Sequence, residues 1–110
     1  MKLKFIQIAI EEALKSSMRH RHGAVIIYRN KIIGKGYNKY DLYFKKDSVY
    51  SRHAEFEAIK NCKNKKLIPY SCLLVIRIGM NKETRMSHPC SKCMKLINKV
   101  GIRKTIYSSR

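Results

Sequence analysis

The sequence predicts an α/β fold in which helices cover both faces of a mixed sheet, and three observations carry that expectation. Ile6, Ala9, Ile10, Ala13 and Leu14 recur at helical spacing within residues 2–17. Two short β-branched runs, 24–28 and 32–36, are separated by Arg29, Asn30 and Lys31, and a third run, 71–78, is nearly all apolar. From residue 71 onward the chain reads strand, helix, strand, which implies parallel pairing through a right-handed crossover.

Taken in order, the first helix ends near Ser16, and the two runs after it form a hairpin. Residues 37–51 show no clean period and are long for a connection, the kind of segment that carries function. A second helix is expected to open after Ser51, a good N-cap residue, and to run to about Cys62 before the lysine-rich turn containing Pro69. The central strand 71–78 leads into a polar loop over 79–88. Pro89 suits the first position of a third helix reaching about Lys99; Gly101 stops it, and 102–107 is a last strand. The expected order is α-β-β-α-β-α-β, in one domain over residues 1–110.

The chain has 110 residues with 25 basic and 7 acidic side chains, a formal charge of +18, and an apolar share of 45%, ordinary for a folding chain. Such a field draws nucleotides, nucleic acid or an anionic surface. No apolar run approaches the 18 or so residues that span a bilayer, and Gln7, Glu11 and Glu12 interrupt what would otherwise follow a basic N-terminus. The expectation is a protein of the cytoplasm without a membrane partner. In that reducing setting, four cysteines point to metal or chemistry before disulfides.

Two helices carry the chemistry. In the second, Glu55, Ala58, Ile59 and Cys62 fall at i, i+3, i+4 and i+7, which puts a carboxylate on the buried face; Glu57 is expected to point to solvent. A buried carboxylate is costly without a role, and such groups cluster at active sites. In the third, Cys90, Cys93, Met94 and Ile97 share a face. A C-x-x-C pair at a helix start suits one tetrahedral metal, because the helix N-terminus favours the thiolate. Zinc with three protein ligands keeps a water and is catalytic; with four it is structural.

His53-Ala54-Glu55 followed by Pro89-Cys90-Ser91-Lys92-Cys93 is the H-x-E and P-C-x-x-C pair of zinc nucleobase deaminases. Over most of its length the sequence resembles the cytidine and deoxycytidylate deaminase family, with 23–27 and 36–38 similar to its first hairpin, 51–59 to its first zinc helix and 101–107 to the strand that follows. The resemblance implies a three-layer α-β-α sandwich and zinc bound by His53, Cys90 and Cys93. It implies that Glu55 carries a proton from the attacking water to the ring nitrogen and the departing ammonia, and that Asn38 and the backbone of Ala54 hold the nucleoside. Against the family pattern the sequence lacks the terminal helix and fifth strand, so a homo-oligomer supplying a pocket wall is expected.

Alternatives stay open at this point. A closed structural zinc site would need a fourth ligand from Cys62, Cys72 or His88, although small buried apolar roles suit Cys62 and Cys72 better. His20 and His22 read as exposed loop residues, with His22 a candidate substrate contact. Basic residues gather as Arg19 and Arg21, as Lys39, Lys45 and Lys46 among Tyr40, Tyr43, Phe44 and Tyr50, and as Lys82 and Arg85. This interleaving suits single-stranded RNA or DNA as well as a plain solvated surface. The leading expectation is zinc-dependent hydrolytic deamination of cytosine on a nucleoside or nucleotide. A polynucleotide deaminase of cytosine or adenine, and a non-catalytic basic nucleic-acid-binding module, are the competing ones.

Overall fold

A computed structural model describes residues 2–40, 51–79, 84–85 and 91–108. Its elements are α1 Leu3–Leu14, β1 Arg21–Tyr28, β2 Lys31–Tyr37, β3 Lys39–Tyr40, β4 Ser51–Arg52, α2 Ala54–Lys60, a 3-10 helix Lys65–Tyr70, β5 Cys72–Ile78, β6 Thr84–Arg85, α3 Ser91–Val100 and β7 Lys104–Tyr107. β1 lies between β2 and β5 and is antiparallel to both. The far edge of β5 is shared by β6, antiparallel, and β7, parallel, as the strand–helix–strand order requires.

The alternation of β1 and β5 divides the interior into two layers. Val25, Ile27, Leu74, Ile76 and Ile78 pack against Phe5, Ala9 and Ala13 of α1. Ala24, Ile26, Leu73 and Val75 pack on the other face against Ala54, Ala58 and Ile59 of α2 and Ile97 of α3. The outcome is three layers with the sheet in the middle. A side chain at Gly23 would collide with the backbone of α1 at Ala9, so the absent Cβ sets how closely that helix lies on β1.

Several boundaries differ from the sequence expectation for physical reasons. The hairpin uses a two-residue turn, because Arg29 (φ 46°) and Asn30 (φ 63°) both adopt the left-handed conformation that matches strand twist. The α1 stripe centres on Phe5, Ala9 and Ala13, and Leu14 is exposed. Glu12 is buried there and held 2.5 Å from Lys15, whose ammonium is kept protonated above its ordinary range chiefly by that hydrogen bond. Ser51 does not cap α2: it pairs with Tyr40 in β4, so the connection after β2 closes on a two-stranded stem and His53 takes the N-cap position. The lysine-rich turn forms the 3-10 helix, and the 79–88 loop contains β6. Met94 is exposed, the buried face of α3 running instead through Cys93 and Ile97. Gly101 ends α3 with φ +75°, as a helix stop should. Among the described residues no helix is long and apolar enough to cross a membrane.

Candidate active site

Because β1 runs against both neighbours, its start and the ends of β2 and β5 share one end of the sheet. The segments leaving that end feed α2 and α3, so both helix starts are delivered there. His53 sits at the α2 N-cap in extended backbone (φ −79°, ψ 151°) and its side chain plays no capping role. Cys93 is the third residue of α3 and is buried. Forty residues apart in sequence, His53 Nδ1 and Cys93 Sγ stand 3.1 Å from each other.

That separation tests the fit of a metal. A tetrahedral zinc with ordinary nitrogen and sulfur bonds has an N···S edge of roughly 3.6 Å, so an outward adjustment of about half an ångström would admit the ion. The donor chemistry, one imidazole and one thiol, is that of zinc. No group of three possible metal ligands occurs among the described residues, and Cys90, the third expected ligand, lies outside them. His88 also lies outside. The closed four-ligand alternative loses its other two donors: Cys62 follows the C-terminal end of α2, about 13 Å of helix rise beyond His53. Cys72 opens β5 at the opposite end of the strand from Ile78, about 20 Å away. Cys62 is buried, its thiol directed at the carbonyl of Asn64, and Cys72 is half-buried.

Glu55, in the first turn of α2, is buried at 5% exposure, and its carboxylate makes no ion pair with another described residue. Ala54 beside it is fully buried, and the amides that open a helix have no partner within it. Asn38, just past β2, is buried as well. Its side-chain oxygen accepts from the His22 amide at 2.8 Å and its NH2 donates to the His20 carbonyl at 2.5 Å, fixing the entry of β1 beside the site. His22 is not an exposed loop residue: it lies within β1 and is half-buried. Burial holds its imidazole below the ordinary value against the opposing hydrogen bond to the His20 carbonyl, with the charge of Arg77 adding to the lowering.

Glu57 corrects the expectation of a solvated charge. It is 2% exposed, facing Gly36, where a Cβ would come within 2.6 Å of the Glu57 Cβ, and it pairs with Lys39 Nζ at 3.4 Å. Lys39 is thereby tied to α2 at the base of the β3–β4 stem. Arg21 begins β1, and its guanidinium donates to the Gly79 carbonyl at 2.9 Å. Arg19 is exposed, and Arg85 stands opposite Arg77 in the β5–β6 register. Tyr43, Lys45, Lys46 and Lys82 lie outside the described residues. One residue of this end escaped the sequence reading, Arg77, although a charge inside a central apolar strand was the signal that could have found it.

The sequence matches the cytidine and deoxycytidylate deaminase zinc-binding region over residues 1–109. The chain belongs to this family. No curated protein matches it. Among solved structures, the dCMP deaminase of cyanophage S-TIM5 in its apo form is similar at TM-score 0.61 and 20% identity, covering 96% of this chain and 82% of that one. RibD of Acinetobacter baumannii gives TM-score 0.63 at 19% identity, covering 93% of this chain. The diaminohydroxyphosphoribosylaminopyrimidine deaminase/reductase of Thermotoga maritima gives 0.59 at 26%, also covering 93%. This deaminase-family chain spans about a quarter of the length of the last two, 26% and 27%.

Proposed function

We propose that the chain is a zinc-dependent hydrolytic deaminase that converts a cytosine base, carried on a nucleoside or nucleotide, to uracil with release of ammonia. The observation that carries the reading is the approach of His53 Nδ1 to Cys93 Sγ at 3.1 Å, with the buried Glu55 two residues along the same helix. Family membership supports the reaction class, and one similar structure, the S-TIM5 dCMP deaminase, is a complex with dCMP and dUMP.

His53, Cys93 and Cys90 would hold the ion. Zinc bound by three such ligands supplies a Lewis acid able to bring a water's pKa near 7. Glu55 takes the proton of the attacking water and delivers it to the ring nitrogen. As the C–N bond breaks and the carbonyl forms, the second proton of the water leaves with the amine as ammonia. The Glu55 carboxylate is buried, so the proton is not lost to bulk solvent between the two steps. Asn38 keeps the β1 entry fixed, and its remaining N–H and lone pair would serve the substrate's sugar.

The test is Glu55→Gln in zinc-loaded protein. Fold and zinc content should be unchanged while ammonia release from cytosine substrates falls at least about 100-fold, the usual worth of a positioned proton carrier. Undiminished turnover in that variant would rule out the proton-carrier role and with it this mechanism.

A further inference from the structure

Arg77 is a cation in an apolar strand, and its placement is specific. β5 alternates Leu73 and Val75 toward α2 and α3, and Leu74, Ile76 and Ile78 toward α1, so Arg77 takes the face of the two metal-carrying helices. On the neighbouring strand the same alternation puts His22 with Ala24 and Ile26, and His22 is the register partner of Arg77. The pair therefore forms the row beyond Ala24 and Val75, at the end of the sheet where His53 and Cys93 meet. Arg85 holds the next register position on β6.

The guanidinium is poorly satisfied there. Its Nη2 donates to His20 Nδ1 at 2.7 Å, and among the described residues its buried Nε has no hydrogen-bond partner. No carboxylate among the described residues pairs with it. A partly buried, permanently charged group without a counter-charge is unfavourable until an anion arrives. A planar fork of N–H donors matches phosphate oxygens two at a time.

We infer that Arg77 reads the phosphate of the substrate, so that the site takes a cytosine nucleoside monophosphate in preference to the free nucleoside. The inference rests on the deaminase reading above and adds the phosphate to it. A polynucleotide is a poorer match, because two of the cations that would line an open groove are already engaged within the chain, Arg21 by the Gly79 carbonyl and half-exposed Lys39 by Glu57. The overall charge of +18 attracts any polyanion; a half-buried arginine beside the site selects by position.

The experiment uses the zinc-loaded chain and measures both calorimetric binding and ammonia release with dCMP, deoxycytidine and a cytosine-containing single-stranded oligonucleotide. Wild type should favour dCMP over deoxycytidine by at least about tenfold, and Arg77→Gln should lose about 10- to 100-fold on dCMP alone, the worth of a charge-assisted hydrogen bond. Arg77→Lys, which keeps the charge and the strand, should fall between, and it decides the matter together with the wild-type preference if Arg77→Gln does not fold. Equal affinity of wild type for dCMP and deoxycytidine, an equal loss on both in the variants, or tightest binding of the oligonucleotide would overturn the inference. Arg77-dependent dCMP preference in binding without any ammonia release would leave the phosphate role standing and remove the deaminase reading instead.

Discussion

At the scale of single residues, the sheet end that carries the site is braced by buried polar groups, and two of them give separable predictions. Glu57 is nearly inaccessible while its partner Lys39 is half exposed, so solvent screening discounts the pair well below a fully buried one. Lys39→Met should cost about 1 kcal/mol, seen as a melting-temperature loss of about 4 °C; an unchanged melting temperature would show that the pair contributes nothing. His22 titrates in the opposite sense to a salt-bridged histidine. Burial favours its neutral form, so below its ordinary value of 6.5 the unfolded chain binds the proton more readily than the folded one. The stability associated with His22 is thus present above that pH and lost as pH falls through the lower folded-state value. Melting curves between about pH 7.5 and 5.5 should show wild type losing stability relative to His22→Gln as the medium acidifies; parallel pH profiles would contradict this.

At the scale of elements, close backbone approach sets where the functional helix lies. A Cβ at Gly36 would sit 2.6 Å from both Ala58 N and Glu57 Cβ, so Gly36→Ala must move α2, and with it His53 and Glu55. The expected cost is about 1–3 kcal/mol together with weakened zinc binding, read by chelator competition; loss of stability with unchanged zinc affinity would show that the helix start is positioned independently of β2. Residue patterning was enough to find α1 and α3, which each bury one stripe, and β1 and β5, whose apolar runs are covered on both faces. It failed for α2, where five of the seven residues are buried, since β2 lies beneath the helix and the β3–β4 stem closes against it through Lys39. A one-stripe rule assigns Glu57 to solvent in such a helix. The glycine at 36 carried the missing information, because a glycine inside a strand marks a neighbouring backbone. Ser51 looked like a cap for a comparable reason: N-cap chemistry is local, whereas its pairing with Tyr40 is a tertiary event that spacing does not reveal. The proposed metal ligands His53 and Cys93 were legible as residue types and spacing. The convergence of exposed His53 and buried Cys93 depends on β1 running antiparallel to both its neighbours, which brings two distant helix starts to one end of the sheet.

At the scale of the whole molecule, a strongly basic chain places a buried carboxylate, Glu55, and a half-buried guanidinium, Arg77, neither in an ion pair among the described residues, at one end of a sheet covered on both faces. Distribution, more than net charge, then decides what binds. This end of the sheet is proposed to hold one zinc with a position left open. The most direct measurement is zinc K-edge X-ray absorption on the purified protein with metal content determined alongside. One zinc per chain is expected, with two sulfurs at about 2.3 Å and two nitrogen or oxygen neighbours at about 2.0–2.1 Å, one of the latter exchangeable with solvent. Three or more sulfurs, or a zinc-free protein that still folds and deaminates, would contradict it.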